Sequence, residues 1–224
     1  MKTIAYIDGY NLYYGCLRHG PYKWLDLYKL LAEHIIRAQN PLSKVTSLNF
    51  YTADIKAKIA SKGQQAMSSQ LSYHRALTQL YDEQIQIKKG YYSLERAKLP
   101  IYQTPPDKKH RIDVWKLEEK QTDVNLALDA YRDVSKGCVE QIVFVTNDTD
   151  IEPALAAIRE DFKDNIQIGV IIPVRKDSGR PANRRLSNYA NWTRKYITDD
   201  ELASSQLPER IATRKKPITK PEYW

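Results

Sequence analysis

Cysteine is almost missing from this chain: Cys16 and Cys138 are the only two among 224 residues. Two widely separated thiols argue against a disulfide framework, and His19, His34, His74 and His110 show none of the close spacing of a zinc site. Buried thiols in a reducing compartment are the expectation. Long apolar runs are missing as well. The opening MKTIAYIDGYN meets an acid at Asp8, too early for the apolar core of a signal peptide, and no stretch approaches bilayer-spanning length. The expectation is a cytoplasmic protein that does not enter a membrane. Internal repeats, low-complexity tracts and the GxxxxGK phosphate loop are also absent, which argues against solenoids and P-loop triphosphatases.

Basic charge, by contrast, is plentiful and unevenly placed. Lys and Arg total 35 against 27 Asp and Glu, a formal net charge of +8. Three windows hold the excess: residues 88–111 with seven basic and two acidic residues, 173–196 with seven and one, and 208–224 with five and two. The rest of the chain is net acidic. Basic patches around an acidic remainder suit a phosphate-backbone binder with a carboxylate centre, the alternative being a solvated basic surface.

Hydrophobic periodicity gives an alternation of strand and helix. TIAYI, the segment 45–52, IQIKKGYYSL, QIVFV and IQIGVIIPV read as strands, the last two as fully buried ones. Helical patterns cover 25–38, 63–83, 122–136 closed by Gly137, and DIEPALAAIREDF with Pro153 in its first turn. PIYQTPPDKKHR reads as a basic loop or extended arm, and RLSNYANWTRKYI as a helix followed by a short strand. Such alternation predicts a mainly parallel sheet covered on both faces.

In open parallel sheets ligands collect outside the carboxyl ends of the strands. Asp8 ends the first strand, Asp148 and Asp150 follow QIVFV, and Asp123 lies in the first turn of the preceding helix. Taken singly, Asp123 and Asp150 also read as helix caps and Asp8 as a turn former before Gly9. Taken together they would repel one another unless a divalent cation offsets the charge. Hard oxygen ligands suit Mg²⁺ or Mn²⁺, ions that serve phosphodiester hydrolysis. An aspartyl-phosphate phosphatase would need Thr or Val where DTDIE has Glu152.

These segments resemble a known family. YIDGYNLYYG resembles the first motif of the NYN domain, a PIN-like nuclease fold, with Asp8 and Asn11 at the acid-x-x-Asn spacing. KQTDVNLALDAYRD resembles the central motif through Lys120, Asp123 and Asp129, and VTNDTDIEPAL the third through Thr146, Asp148, Asp150 and Pro153. LSNYANWTRKYI resembles the closing segment of the LabA-like branch. The family often has glycines where this chain has Asn147 and Thr149, an aromatic at Ile151 and an acid at Asn191.

The resemblance implies an α/β protein, a PIN-like three-layer α/β/α sandwich with a central, mainly parallel sheet over residues 1–207, followed by a basic, proline-containing tail over 208–224. It implies a metal-dependent endoribonuclease in which Asp8, Asp123, Asp148 and Asp150 hold one or two Mg²⁺ or Mn²⁺ ions and Asn11 orients a ligand. Thr146, Lys120 and Asp129 take supporting roles, Asp129 as an ion-pair partner because it lies well round the helix from Asp123. Single-stranded RNA is the expected partner. DNA is the first alternative, because nothing here reads a 2′-hydroxyl, and a non-catalytic RNA-binding protein that retains the fold is the second. Arg175, Lys176, Arg180, Arg184 and Arg185, with Lys108, Lys109 and Arg111, are the candidate backbone contacts, and Tyr10, Tyr13, Tyr14, Tyr91, Tyr92 and Tyr102 the candidate stacking surfaces. The tail is expected to be flexible, to bind RNA or to complete a homodimer.

Overall fold

A computed structural model describes residues 1–176 and 183–224. Arg180 lies outside the described residues. In chain order, β1 (Lys2–Asp8) runs into a short helix α1 (Gly9–Leu12) that widens into a π-helical turn, Tyr13–Leu17. A second π-helical segment, Lys29–Ile36, ends in the turn α2 (Arg37–Gln39). Then come β2 (Lys44–Ala53), α3 (Gly63–Leu80), β3 (Ile85–Pro100), β4 (Arg111–Lys120) and α4 (Thr122–Ser135). The second half holds β5 (Gln141–Val145), α5 (Glu152–Phe162), β6 (Gln167–Ile171), α6 (Arg184–Ser187), β7 (Trp192–Arg194) and α7 (Asp199–Ser204). Two short strands, β8 (Arg210–Ile211) and β9 (Ile218–Thr219), form a separate hairpin.

The main sheet has the order β4-β3-β2-β1-β5-β6-β7 and is parallel except for the β3–β4 pair. Side-chain alternation along its central strands divides the interior in two. Ala5, Ile7, Val143 and Val145 face the π-helical segments and α3, whereas Ile4, Tyr6, Ile142 and Phe144 face α4, α5 and α6. The result is the three-layer sandwich expected from the alternating pattern. Two buttresses fix α4 to the sheet: the Tyr6 hydroxyl donates to Asp133 (2.8 Å) and the Tyr51 hydroxyl to Asp129 (2.9 Å).

From β1 the chain moves outward through β2 and β3, and after α4 it returns to the far side of β1 as β5. The order therefore reverses between β1 and β5, and the ends of these two strands flank the crevice where such sheets bind ligands. The β3–β4 hairpin adds an unpredicted element. β3 pairs with β2 only as far as Gly90, then continues past the sheet's carboxyl edge and returns as β4. Gly90 permits this return, because a Cβ there would stand 2.3 Å from the Lys120 carbonyl oxygen. Gln121, at φ 75°, then turns the chain into α4.

Two expectations need correction. The segment 208–224 is no loose tail: Ile211 and Ile218 are buried in the first core, and Trp224 packs on Trp24 and Tyr73 at ring separations of 6.3 and 5.6 Å. Cys16 is buried, but Cys138 is exposed, and the two form no disulfide. Among the described residues no helix is long and apolar enough to cross a membrane.

Candidate carboxylate site

Asp8 ends β1 and caps α1. Its Oδ1 accepts the Asn11 backbone N–H (2.9 Å), while Oδ2 accepts from the Asn11 side-chain amide (2.6 Å) and the Thr146 hydroxyl (2.9 Å). Asp8, Asn11 and Thr146 are all buried. Burial pushes the Asp8 carboxyl above its ordinary range; these hydrogen bonds act in the opposite sense, and nearby Asp148 adds to the rise.

Thr146 comes from the end of β5, so its bond to Asp8 ties the two strands that flank the crevice. The same hydroxyl accepts the backbone N–H of Asp148 (3.0 Å), and the Asp148 carboxylate caps a 3₁₀ turn, Thr149–Ile151, by accepting from the Asp150 N–H (3.0 Å). The cap in VTNDTD is therefore Asp148, and Asp150 stands exposed on the turn it organises. Asn147 takes a structural part where the family often has glycine: its side-chain oxygen accepts from the Asn183 N–H (2.8 Å).

Asp123 enters from the first turn of α4. Its carboxyl is pushed up to about 6, by burial first and then by Asp8, Asp148 and Asp150. No hydrogen bond or ion pair among the described residues reaches this carboxylate. Four acids thus meet in one electrostatic neighbourhood.

A fifth acid, Glu119, gives no signal in the sequence, where LEEK looks like a solvated charge run. In the hairpin it lies opposite Tyr92. Its carboxyl is also pushed up to about 6, by burial and by Asp8 and Asp123, despite hydrogen bonds from Thr122 and Tyr92. Only the antiparallel register places it there.

Other candidates fall elsewhere. Asp129 accepts from Lys88 (2.7 Å) as well as from Tyr51; burial raises its carboxyl, but these partners and Arg132 hold it below its ordinary value. Lys120 pairs with Glu118 at 2.5 Å instead of turning to the other acids. Arg175 forms a two-pronged pair with Asp199, Arg185 pairs with Glu152 (2.8 Å), and the Lys176 ammonium sits over the Tyr196 ring (5.8 Å). Two members of the basic cluster expected at this edge, Arg175 and Arg185, are therefore paired with acids. Arg184 is exposed and enters no ion pair among the described residues. Arg111 holds the Lys98 carbonyl, while the Lys108 and Lys109 side chains stand exposed in the hairpin loop. By strand rise that loop is about 30 Å from Glu119. Asn191 binds the Ile168 N–H (2.8 Å) near the start of β6, at the edge opposite the acids.

Beside the carboxylates lies a cavity of about 420 Å³ whose lining includes Tyr10, Tyr13, Tyr14, Phe50, Tyr92 and Trp224. A more open hollow of about 800 Å³ between α3 and the β8–β9 hairpin lies apart from them.

The donor chemistry fits a hard divalent cation, since all the groups are carboxylates and Asp123 has no partner among the described residues to offset its charge. The ligand cage is not closed: among the described residues no three His, Cys, Asp or Glu side chains are gathered tightly enough to hold a metal ion.

Residues 2–191 match the family model described as the NYN domain. The chain is 45% identical over 241 aligned positions to the 6-hydroxy-3-succinoylpyridine 3-monooxygenase HspA of Pseudomonas putida, covering 100% of this chain and 75% of that protein. A crystal structure of a protein of unknown function from Vibrio parahaemolyticus is similar with a TM-score of 0.51 at 17% identity, over 89% of this chain and 94% of the other. That likeness concerns the fold alone.

Proposed function

Because the chain belongs to the NYN domain family, we propose that it is a metal-dependent nuclease hydrolysing phosphodiester bonds in single-stranded RNA. The carrying observation is the unpartnered Asp123 carboxylate, pushed up to about 6 where α4 meets the ends of β1 and β5. Asp123, Asp148 and Asp150, which are not gathered tightly enough for this as they stand, would draw together to hold Mg²⁺ or Mn²⁺, with Asp8 braced by Asn11 and Thr146. When bound, the ion supplies positive charge to a phosphate and acidifies water. Glu119, pushed up to about 6, lies closer to neutrality than an ordinary carboxyl and suits the transfer of a proton there. Arg184 and the hairpin lysines would hold the backbone beyond the scissile bond.

The test is cleavage of a mixed-sequence single-stranded RNA with Mn²⁺, beside a matched DNA and beside Asp148→Asn. The expected result is RNA cleavage that disappears in EDTA and in the variant. Cleavage surviving excess EDTA would overturn the mechanism, and DNA cut in preference to RNA would overturn the substrate. RNA bound equally by both proteins but never cut would leave a binding protein.

A second reading is favoured by the 45% identity to a named monooxygenase along the whole chain and by the aromatic cavity beside the acids. On this reading the site hydroxylates a pyridine ring, taking one oxygen atom from dioxygen and reducing the other to water with two electrons from a reductant. Dioxygen uptake with 6-hydroxy-3-succinoylpyridine and a reduced nicotinamide or flavin tests it; no uptake with any donor would remove it.

A further inference from the structure

The cavity beside the carboxylates is built unlike an open nucleic-acid groove. Its 420 Å³ lies within the usual range for small-molecule sites. Tyr10 and Tyr14 are paired at 4.3 Å with their rings tilted by 36°, and Tyr13 meets Tyr14 edge-on at 5.2 Å. Trp224 belongs to the same lining. It is held there by Trp24 and Tyr73, and the Trp24 indole in turn donates to the Pro208 carbonyl (2.9 Å). The wall is thus made before any ligand arrives, which lowers the ordering cost of binding.

Charges of both signs line this space. Arg18, Lys23 and Lys56 line it, and the Arg18 guanidinium lies 5.1 Å from the Tyr14 ring centre. The one carboxylate in the lining, Glu119, is where the cavity meets Asp8 and Asp123. A ligand that satisfies both parts has a flat ring with a polar edge and a negative arm.

We infer that this cavity binds a single planar heteroaromatic ring carrying an anionic arm, with the ring against Tyr10, Tyr14 and Tyr92, its polar edge on Glu119 and its arm toward Arg18, Lys23 and Lys56. The ring can come from two sources, a nucleotide of a longer strand or a free heteroaromatic acid. Either would be held beside the acidic centre. The inference deepens the proposed function by naming what sits next to the reacting bond, yet it is measurable without turnover.

The experiment is isothermal titration calorimetry of the full chain in EDTA with uridine 5′-monophosphate, pyridine-3-carboxylate and ribose 5-phosphate, the last having the arm but no base. At least one ring-bearing probe should saturate the protein, about tenfold more tightly than ribose 5-phosphate. Tyr14→Ala and Lys56→Ala should each weaken it by about fivefold or more, and Lys56→Ala, at an exposed position, should keep the wild-type melting temperature. Lys23→Ala, which leaves the aromatic lining intact, guards against a loss of folding in the larger truncation and should also weaken binding. Tighter nucleotide binding identifies a nucleobase pocket; tighter pyridine-3-carboxylate binding identifies a small-substrate pocket. Absence of binding by both ring probes, equal binding of ribose 5-phosphate, or indifference of folded variants would overturn the inference. Because no cation or turnover is involved, such a failure is separate from failure of RNA cleavage.

Discussion

The Thr146 hydroxyl donates to the Asp8 carboxylate at 2.9 Å across the boundary between β5 and β1. Since both side chains are buried and the strand order reverses between them, this one bond aligns the two halves of the carboxylate edge. It also offsets part of the cost of keeping Asp8 away from water.

Thr146→Val keeps the shape and removes the donor. It should lower unfolding stability by about 1–3 kcal/mol, the usual cost of stripping a hydrogen bond from a buried charged group. RNA cleavage should fall with it. Urea denaturation of wild type and variant measures the first effect, and no change in midpoint would mean that Asp8 does not depend on this bond.

Asp123 predicts a pH dependence of stability. Its folded value of about 6 lies above its ordinary one. The folded protein therefore retains a proton that the unfolded chain has already lost between roughly pH 4 and pH 6, and stability falls as pH rises through that window. Asp123→Asn should be more stable than wild type by about 1 kcal/mol at pH 7 in EDTA, a figure reduced for the carboxylate's partial exposure, and level with it near pH 4. Mn²⁺ should raise the melting temperature of wild type and leave the variant unmoved. A wild type more stable than Asp123→Asn in EDTA at neutral pH would contradict this account.

The opposite sign holds for Asp129. Lys88 and Tyr51 keep its carboxyl below the ordinary value, so its contribution is full above that value and lost as pH falls through the depressed one. Asp129→Asn should cost about 1 kcal/mol at neutral pH. The difference should close in acid, and the melting shift caused by Mn²⁺ should survive. Loss of that shift would move Asp129 into the cation site.

The hairpin loop carries Lys108 and Lys109, about 30 Å from Glu119. If both meet phosphates, replacing them with Ala should lower the slope of log affinity against log salt by about 1.4 for single-stranded RNA. Cleavage of a dinucleotide, too short to reach the loop, should be unchanged. An unaltered salt slope would remove the hairpin from the RNA path.

Much of the fold and part of the site are local properties of the chain. Buried strands at QIVFV and IQIGVI, the helix stopped by Gly137 and the first-turn Pro153 follow from periodicity and backbone preference over a few residues. Asp8, Asp123 and Asp148 are legible for the same reason, because each stands at the boundary of an element whose end the sequence marks.

What joins those elements is not local. Glu119 reaches the acids only because β4 pairs antiparallel with β3 and sets it opposite Tyr92. Arg175 and Arg185 lose their status as bare cations to Asp199 and Glu152, partners 24 and 33 positions away. The Pro- and Lys-rich segment after Leu207, polar enough to suggest a flexible tail, is held by Trp224 against Trp24 and Tyr73. Sequence alone determined which segments become strands and helices and which acids end them, since those outcomes depend on neighbouring residues. The fifth carboxylate, the neutralised arginines and the tyrosine-walled cavity were decided by the tertiary structure, because register and ion pairing between distant segments depend on which surfaces the closed sheet brings within contact distance.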